Sequence, residues 1–236
     1  MSYFIYNGQD SRDYGILEHT PMPPSAQKIV QYQQAGNRAT KIATISETYD
    51  NITLSCTLGL KSRDNLRSAV AWLQGSGVLT FSDEPDKYYK IMDVVRRSER
   101  LSARFGKIAL DFIALPFAYA LEPTVQDITS ATVTTAVENA GTVFAEPEIR
   151  FTATDTEVSI YTNNEQFRVE LPAEVQGVEV IVDCEAQVVY YVSGSDKISI
   201  TQHSFGEFPL LHVGTNYIKH AGNITAASIT VKERWL

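Results

Sequence analysis

The chain has 236 residues, enough for one large or two ordinary domains, and its 44% hydrophobic and 20% charged residues exclude a disordered polymer. A formal net charge of −8 excludes wholesale nucleic-acid binding, which rests on neutralising phosphates with Lys and Arg. The charge is divided unevenly: residues 1–120 carry 14 basic against 12 acidic side chains, a net of +2, whereas residues 121–236 carry 6 against 16, a net of −10. Two units with different partners are expected.

The opening MSYFIYNGQDSRDYG lacks the basic start and apolar core of a secretory signal peptide. The longest apolar stretch, residues 112–121, contains Pro116 and is too short for a bilayer of roughly 30 Å. A soluble product made in the cytoplasm is expected, with no membrane contact. Cys56 and Cys184 lie in no paired metal or redox spacing. Cytosolic synthesis favours two reduced, buried thiols over a disulfide between them.

In chain order, strands are expected at residues 2–6, 41–45 and 52–60. A helix over 64–74 follows, with Ser62 as candidate N-cap. Leu66, Ala69, Val70 and Leu73 form one apolar stripe at i, i+3, i+4 and i+7, and Gly75 stands where a left-handed residue ends a helix. After a strand at 78–81, the cluster Ser82-Asp83-Glu84-Pro85-Asp86 predicts a sharp turn. Residues 88–97 and 104–115 then predict a long β-hairpin around a turn at 98–103. Its segment 87–107 holds seven basic and two acidic residues. That concentration suits a solvated hairpin face or a surface that docks onto an acidic neighbouring subunit.

The texture turns to Thr, Ala, Ser and Val around 121–137, placing a boundary near 121–123. Beyond it short strands are expected at 144–152, 158–162, 167–171, 178–183, 188–192, 198–201, 214–219 and 224–234, separated by turns such as Asn163-Asn164 and Ala221-Gly222-Asn223. An antiparallel β-sandwich without helices accounts for this spacing. The fold expected is mainly β, in two domains: 1–121, β-sandwich-like with one α-helix and the hairpin, and 122–236, a second sandwich.

The chemistry of catalysis is thin. Gly75-Ser76-Gly77 and Gly194-Ser195-Asp196 do not extend into a nucleophile elbow, and no phosphate-cradling loop is present. His19, His203, His212 and His220 have no zinc spacing. Asp183 with Glu185, and Glu146 with Glu148, share a strand face at i, i+2, as solvated acids commonly do. No catalytic residue, metal or cofactor is expected, and a binding or structural protein remains.

The run Trp72-Leu73-Gln74-Gly75-Ser76-Gly77-Val78-Leu79-Thr80-Phe81-Ser82-Asp83-Glu84-Pro85-Asp86-Lys87-Tyr88-Tyr89 resembles a signature of siphophage distal tail proteins. Phe4-x-Tyr6-Asn7-Gly8-Gln9-Asp10-Ser11 with Tyr14-Gly15-Ile16 resembles that family's start, and Gly36-Asn37-Arg38 a glycine loop in which Ala35 and Asn37 depart from the usual residues. Pro116-Phe117-Ala118-Tyr119 resembles the close of its first domain. Glu138-Asn139-Ala140-Gly141-Thr142, Glu146-Pro147-x-Ile149, Asp183-Cys184 and Phe208-Pro209-x-Leu211-x-x-Gly214-x-Asn216 resemble its galectin-like carboxy-terminal domain.

The resemblance implies a virion protein of the tail tip. Its first domains would form a hexameric ring between the tail tube protein and a tail-associated hub or fibre protein. Its acidic second domain would dock a receptor-binding or accessory baseplate protein. Candidate ring-interface residues are Trp72, Phe81, Asp83, Glu84, Pro85, Tyr88, Tyr89, Arg96, Arg97 and Arg100, with core packing the competing role for Trp72, Phe81, Tyr88 and Tyr89. His212-Val213-Gly214-Thr215-Asn216 lacks the proline and arginine of a galectin sugar site. A carbohydrate-binding face at Tyr190, Tyr191 and Tyr217 is therefore the second alternative.

Overall fold

The computed structural model describes residues 2–33, 42–62, 64–100, 106–130 and 134–236. They divide into two compact units, Met1–Leu121 and Glu122–Trp235.

In the first unit the strands are β1 (Phe4–Tyr6), β2 (Gln9–Asp10), β3 (Gly15–Leu17), β4 (Lys28–Gln33), β5 (Ile42–Tyr49) and β6 (Ile52–Leu60), then β7 (Gly77–Phe81), β8 (Lys87–Arg100) and β9 (Gly106–Ala120). Helix α1 (Asn65–Trp72) lies between β6 and β7. All but β4 and β5 join one antiparallel sheet in the order β2-β1-β7-β8-β9-β6-β3. Strict alternation in β6, with Ile52, Leu54, Cys56, Leu58 and Leu60 buried, sets its register against β9, where Leu54 faces Phe112 and Leu58 faces Ile108.

The hairpin of β8 and β9 is longer than expected, and β9 runs through Pro116. The β6 pairing ends at Ile52 opposite Ala114, and the β8 register shifts beside Ile91, so the missing N–H of Pro116 interrupts no ladder on the β6 side. Strand β8 runs through residues 98–100 of the turn expected at 98–103, and residues 101–105 lie outside the described residues.

Helix α1 is shorter than expected at both ends. Ser62 does not cap it: its hydroxyl donates to Asn65 Oδ1 at 3.2 Å, and Asp64 holds the N-cap position without a side-chain bond. Ala69 and Leu73 are buried with Leu66 and Val70 half-buried, as the stripe predicts, and Gly75 has φ +69°.

The second unit contains β10 (Thr124–Asp127), β11 (Thr135–Asn139), β12 (Glu148–Ala153), β13 (Glu157–Thr162), β14 (Glu165–Glu170) and β15 (Glu179–Asp183). It continues with β16 (Val188–Ser193), β17 (Asp196–Ser199), β18 (Ser204–Phe205), β19 (Gly214–Ala221) and β20 (Ile224–Val231). Two antiparallel sheets, ordered β10-β20-β12-β15-β16-β17 and β11-β19-β13-β14-β18, enclose a core including Ile149, Phe151, Ile160, Phe167, Val180 and Ile218. This is a β-sandwich. Strands β10 and β11 occupy the Thr- and Ala-rich stretch that follows the expected boundary; of their residues Val137 and Asn139 alone are buried, so no hydrophobic run announces them.

Candidate assembly surfaces

Several aromatic residues proposed as ring anchors are engaged within the first unit. Phe81, 2% exposed, meets Phe4 edge to face at 6.4 Å. Trp72 is half-buried between Phe4, stacked at 5.6 Å, and Tyr14, stacked at 4.8 Å, and its indole N–H donates to the Tyr6 carbonyl at 3.0 Å. Tyr89, 3% exposed, donates its hydroxyl to Glu84 Oε2 at 3.2 Å. Burial and the Glu84 charge push that phenol well above its usual range.

The turn after β7 leaves Asp83 and Pro85 exposed, with Ser82 donating to Asp83 at 3.0 Å and Lys87 bridging Asp86 and Glu84. Tyr88 stacks on Tyr119 at 5.5 Å, and Lys90 lies over the Tyr119 ring. Arg96 donates to the carbonyls of Val70 at 2.6 Å and Leu73 at 2.7 Å, satisfying groups that the end of α1 leaves open. Arg97 pairs with Asp111 at 2.8 Å, which also accepts from Ser55 at 2.7 Å. The side chain of Arg100 lies outside the described residues.

An additional surface had no sequence signal. Among the described residues, strands β4 and β5 pair only with each other, and their ribbon is anchored at its base by Tyr49 against Phe117 at 5.3 Å. From Ile29 to Gln33 every residue is exposed, so both faces of β4 are open. Tyr32 is 65% exposed and, on β5, Ile45 is 63% exposed. A strand that buries neither face shows no alternation, which is why Lys28–Gln33 escaped the sequence reading.

In the second unit, buried asparagines organise the loops. Asn216, fully buried, accepts from the His212 N–H and Asn163 Nδ2 at 2.8 Å each, and donates to the carbonyls of His212 at 2.8 Å and Gly214 at 2.9 Å. Asn139 donates to the Val143 and Leu211 carbonyls and accepts from the Gly141 N–H. The three tyrosines of the sugar-binding alternative do not share a face. Tyr190 lies under Lys197, Tyr191 packs against the core, and Tyr217, 56% exposed, stands on the other sheet.

Both cysteines are free and buried; burial pushes the Cys56 thiol up to about 12, and burial with nearby carboxylates also raises Cys184. The acid pairs are internally engaged: Glu146 with Arg234, Glu148 with Arg150, and Asp183 accepting the Ala186 N–H. Among the described residues no group of three or more His, Cys, Asp or Glu is placed to hold a metal ion.

Residues 140–235 match the family model of the siphovirus-type tail component, C-terminal domain. The match lies within the second unit. Over 100% of both chains, the protein is similar to the crystal structure of the SPP1 Dit (gp 19.1) protein, with a TM-score of 0.75 at 18% identity. That protein is described as a paradigm of hub adsorption apparatus in Gram-positive infecting phages. A looser likeness, TM-score 0.49 at 11% identity over 98% of this chain and 97% of the other, is to the phage P2 baseplate in its activated conformation with Ca. No curated protein matches the sequence. The SPP1 Dit fold, mainly β, is shared by both units.

Proposed function

We propose that this chain is a non-enzymatic structural protein of a siphophage virion. Its first unit forms a hexameric hub ring at the distal end of the tail tube, and its second unit links that ring to tail-fibre and host-recognition proteins. The match of residues 140–235 to a siphovirus-type tail component supports the tail location, and the full-length fold shared with a hub protein supports the hub role.

The observation that carries ring formation is the ribbon of β4 and β5. A two-stranded ribbon is marginal alone in water, and this one exposes Ile29, Val30, Tyr32 and Ile45. Covering it with a different surface of the next copy gives a head-to-tail contact, which closes into a ring when the repeated rotation returns to the first copy. The turn of Asp83 and Pro85 supplies further exposed contact surface, whereas Phe81 and Tyr89 act through the core beneath it.

Light scattering and negative-stain imaging of the full chain test the reading. Rings are expected for the native sequence and lost in the pair Tyr32→Ser with Ile45→Ser, at unchanged unfolding midpoint. Rings that persist in that pair contradict the ribbon's role.

A further inference from the structure

At the end of the second unit where β12 begins and β15 turns into β16, three chain segments border a cleft of about 410 Å³. Phe144 and Glu146 come from the approach to β12, Cys184 and Gln187 from the turn after β15, and Glu207 and Phe208 from the segment after β18. Three of the stretches that carry the family resemblance, Glu146-Pro147-x-Ile149, Asp183-Cys184 and Phe208-Pro209-x-Leu211, therefore meet at one place although they are far apart in the chain.

The cleft repeats one pairing of residue types. Phe144 and Glu146 together hold an internal cation: Glu146 forms an ion pair with Arg234, whose guanidinium lies 5.5 Å from the Phe144 ring centroid. Phe208 and Glu207 bring a second aromatic ring and carboxylate to the cleft: the half-buried Phe208 ring packs on one side against Phe167 at 4.9 Å, and Glu207 is exposed with no ion-pair partner among the described residues. No Lys or Arg is among the residues lining the cleft. Its volume is in the range of sites that take a ligand group.

We propose that this cleft is a docking socket for an arginine- or lysine-bearing segment of a protein partner, the cation seated between the Phe208 ring and the Glu207 carboxylate. The proposal rests on the tail-tip reading, which supplies a protein partner. Charge complementarity selects the occupant, since residues 121–236 carry a net of −10. The basic hairpin of a second copy is a poor candidate. Arg96 is bound to the carbonyls of α1, Arg97 to Asp111, and Lys87 to Glu84 and Asp86.

The test is a magnetic-resonance titration of the isotope-labelled full chain with capped Gly-Gly-X-Gly-Gly peptides in which X is Arg, Lys or norleucine. Saturable shifts of the Gln187 and Glu207 amides are expected with Arg and Lys, weakening as salt rises. Glu207→Gln is expected to weaken binding about fivefold, the equivalent of about 1 kcal/mol, with the remaining spectrum unchanged. Absence of shifts at the cleft overturns the proposal. So do equal shifts with norleucine, which indicate a merely apolar groove, and shifts that follow protein concentration without peptide, which indicate a second copy. Ring imaging of the native full chain keeps the readings apart: rings without peptide binding remove the socket alone, and peptide binding without rings removes the hub reading alone.

Discussion

Replacing Trp72 separates a role in the fold from a role in a ring interface. The indole makes two stacked contacts, to Phe4 and Tyr14, and one hydrogen bond to the Tyr6 carbonyl. Two aromatic pairs contribute about 2 kcal/mol and the hydrogen bond about 1 kcal/mol. Loss of the half-buried ring surface adds about 1 kcal/mol, discounted from full burial. Trp72→Ala is therefore expected to lower stability by about 4 kcal/mol, whereas Trp72→Phe preserves the stack and costs about 1 kcal/mol. Urea unfolding followed by circular dichroism at dilute, monomeric concentration measures both. The reasoning is refuted if Trp72→Ala unfolds within about 0.5 kcal/mol of the native chain while ring formation is abolished, because Trp72 would then act on the neighbour rather than within its own unit.

Further outcomes follow from other contacts. Asn216→Ala removes four hydrogen bonds around a buried side chain and is expected to cost about 3 kcal/mol, read as faster hydrogen exchange at residues 212–218. Arg96→Met leaves the Val70 and Leu73 carbonyls without their charged donor and is expected to cost about 2 kcal/mol by denaturant titration. An added Cβ at Gly77 collides with the Asn7 side chain, so Gly77→Ala is expected to destabilise by about 1 to 3 kcal/mol. Adding Asn7→Gly is expected to recover part of that loss in a double-mutant cycle. Cys56, its thiol pushed up to about 12, is expected to resist a disulfide reagent at pH 8 until the chain unfolds. Because the unfolded thiol ionises near pH 9, its contribution to stability is intact below that pH and falls as pH rises toward 12.

The elements legible in the sequence are those whose residues bury one face. The alternation of Ile52, Leu54, Cys56, Leu58 and Leu60 and the stripe of Ala69 and Leu73 state their partners directly. Strand β4 was illegible because it buries neither face, and β10 and β11 because few of their residues are buried. Pro116 misled for a local reason: a proline ends a strand only where its N–H is required, and β6 has already ended.

The candidate surface was legible only in part. The turn at Asp83 and Pro85 was found from its composition, while Phe81 and Tyr89 carry the right chemistry for an interface but point into the core. Alternation separates Tyr190 from Tyr191, but no local pattern could place Tyr217 on the opposite sheet. The cleft joins segments 144–146, 184–187 and 206–210, a proximity that only the paired sheets create.

The most direct measurement of the central claim is electron cryo-microscopy of intact tails carrying an epitope tag on this chain. The account predicts tagged density arranged with six-fold symmetry in a ring at the distal end of the tube, with the ribbon of each copy lying on its neighbour. A tail whose distal ring lacks the tag contradicts it.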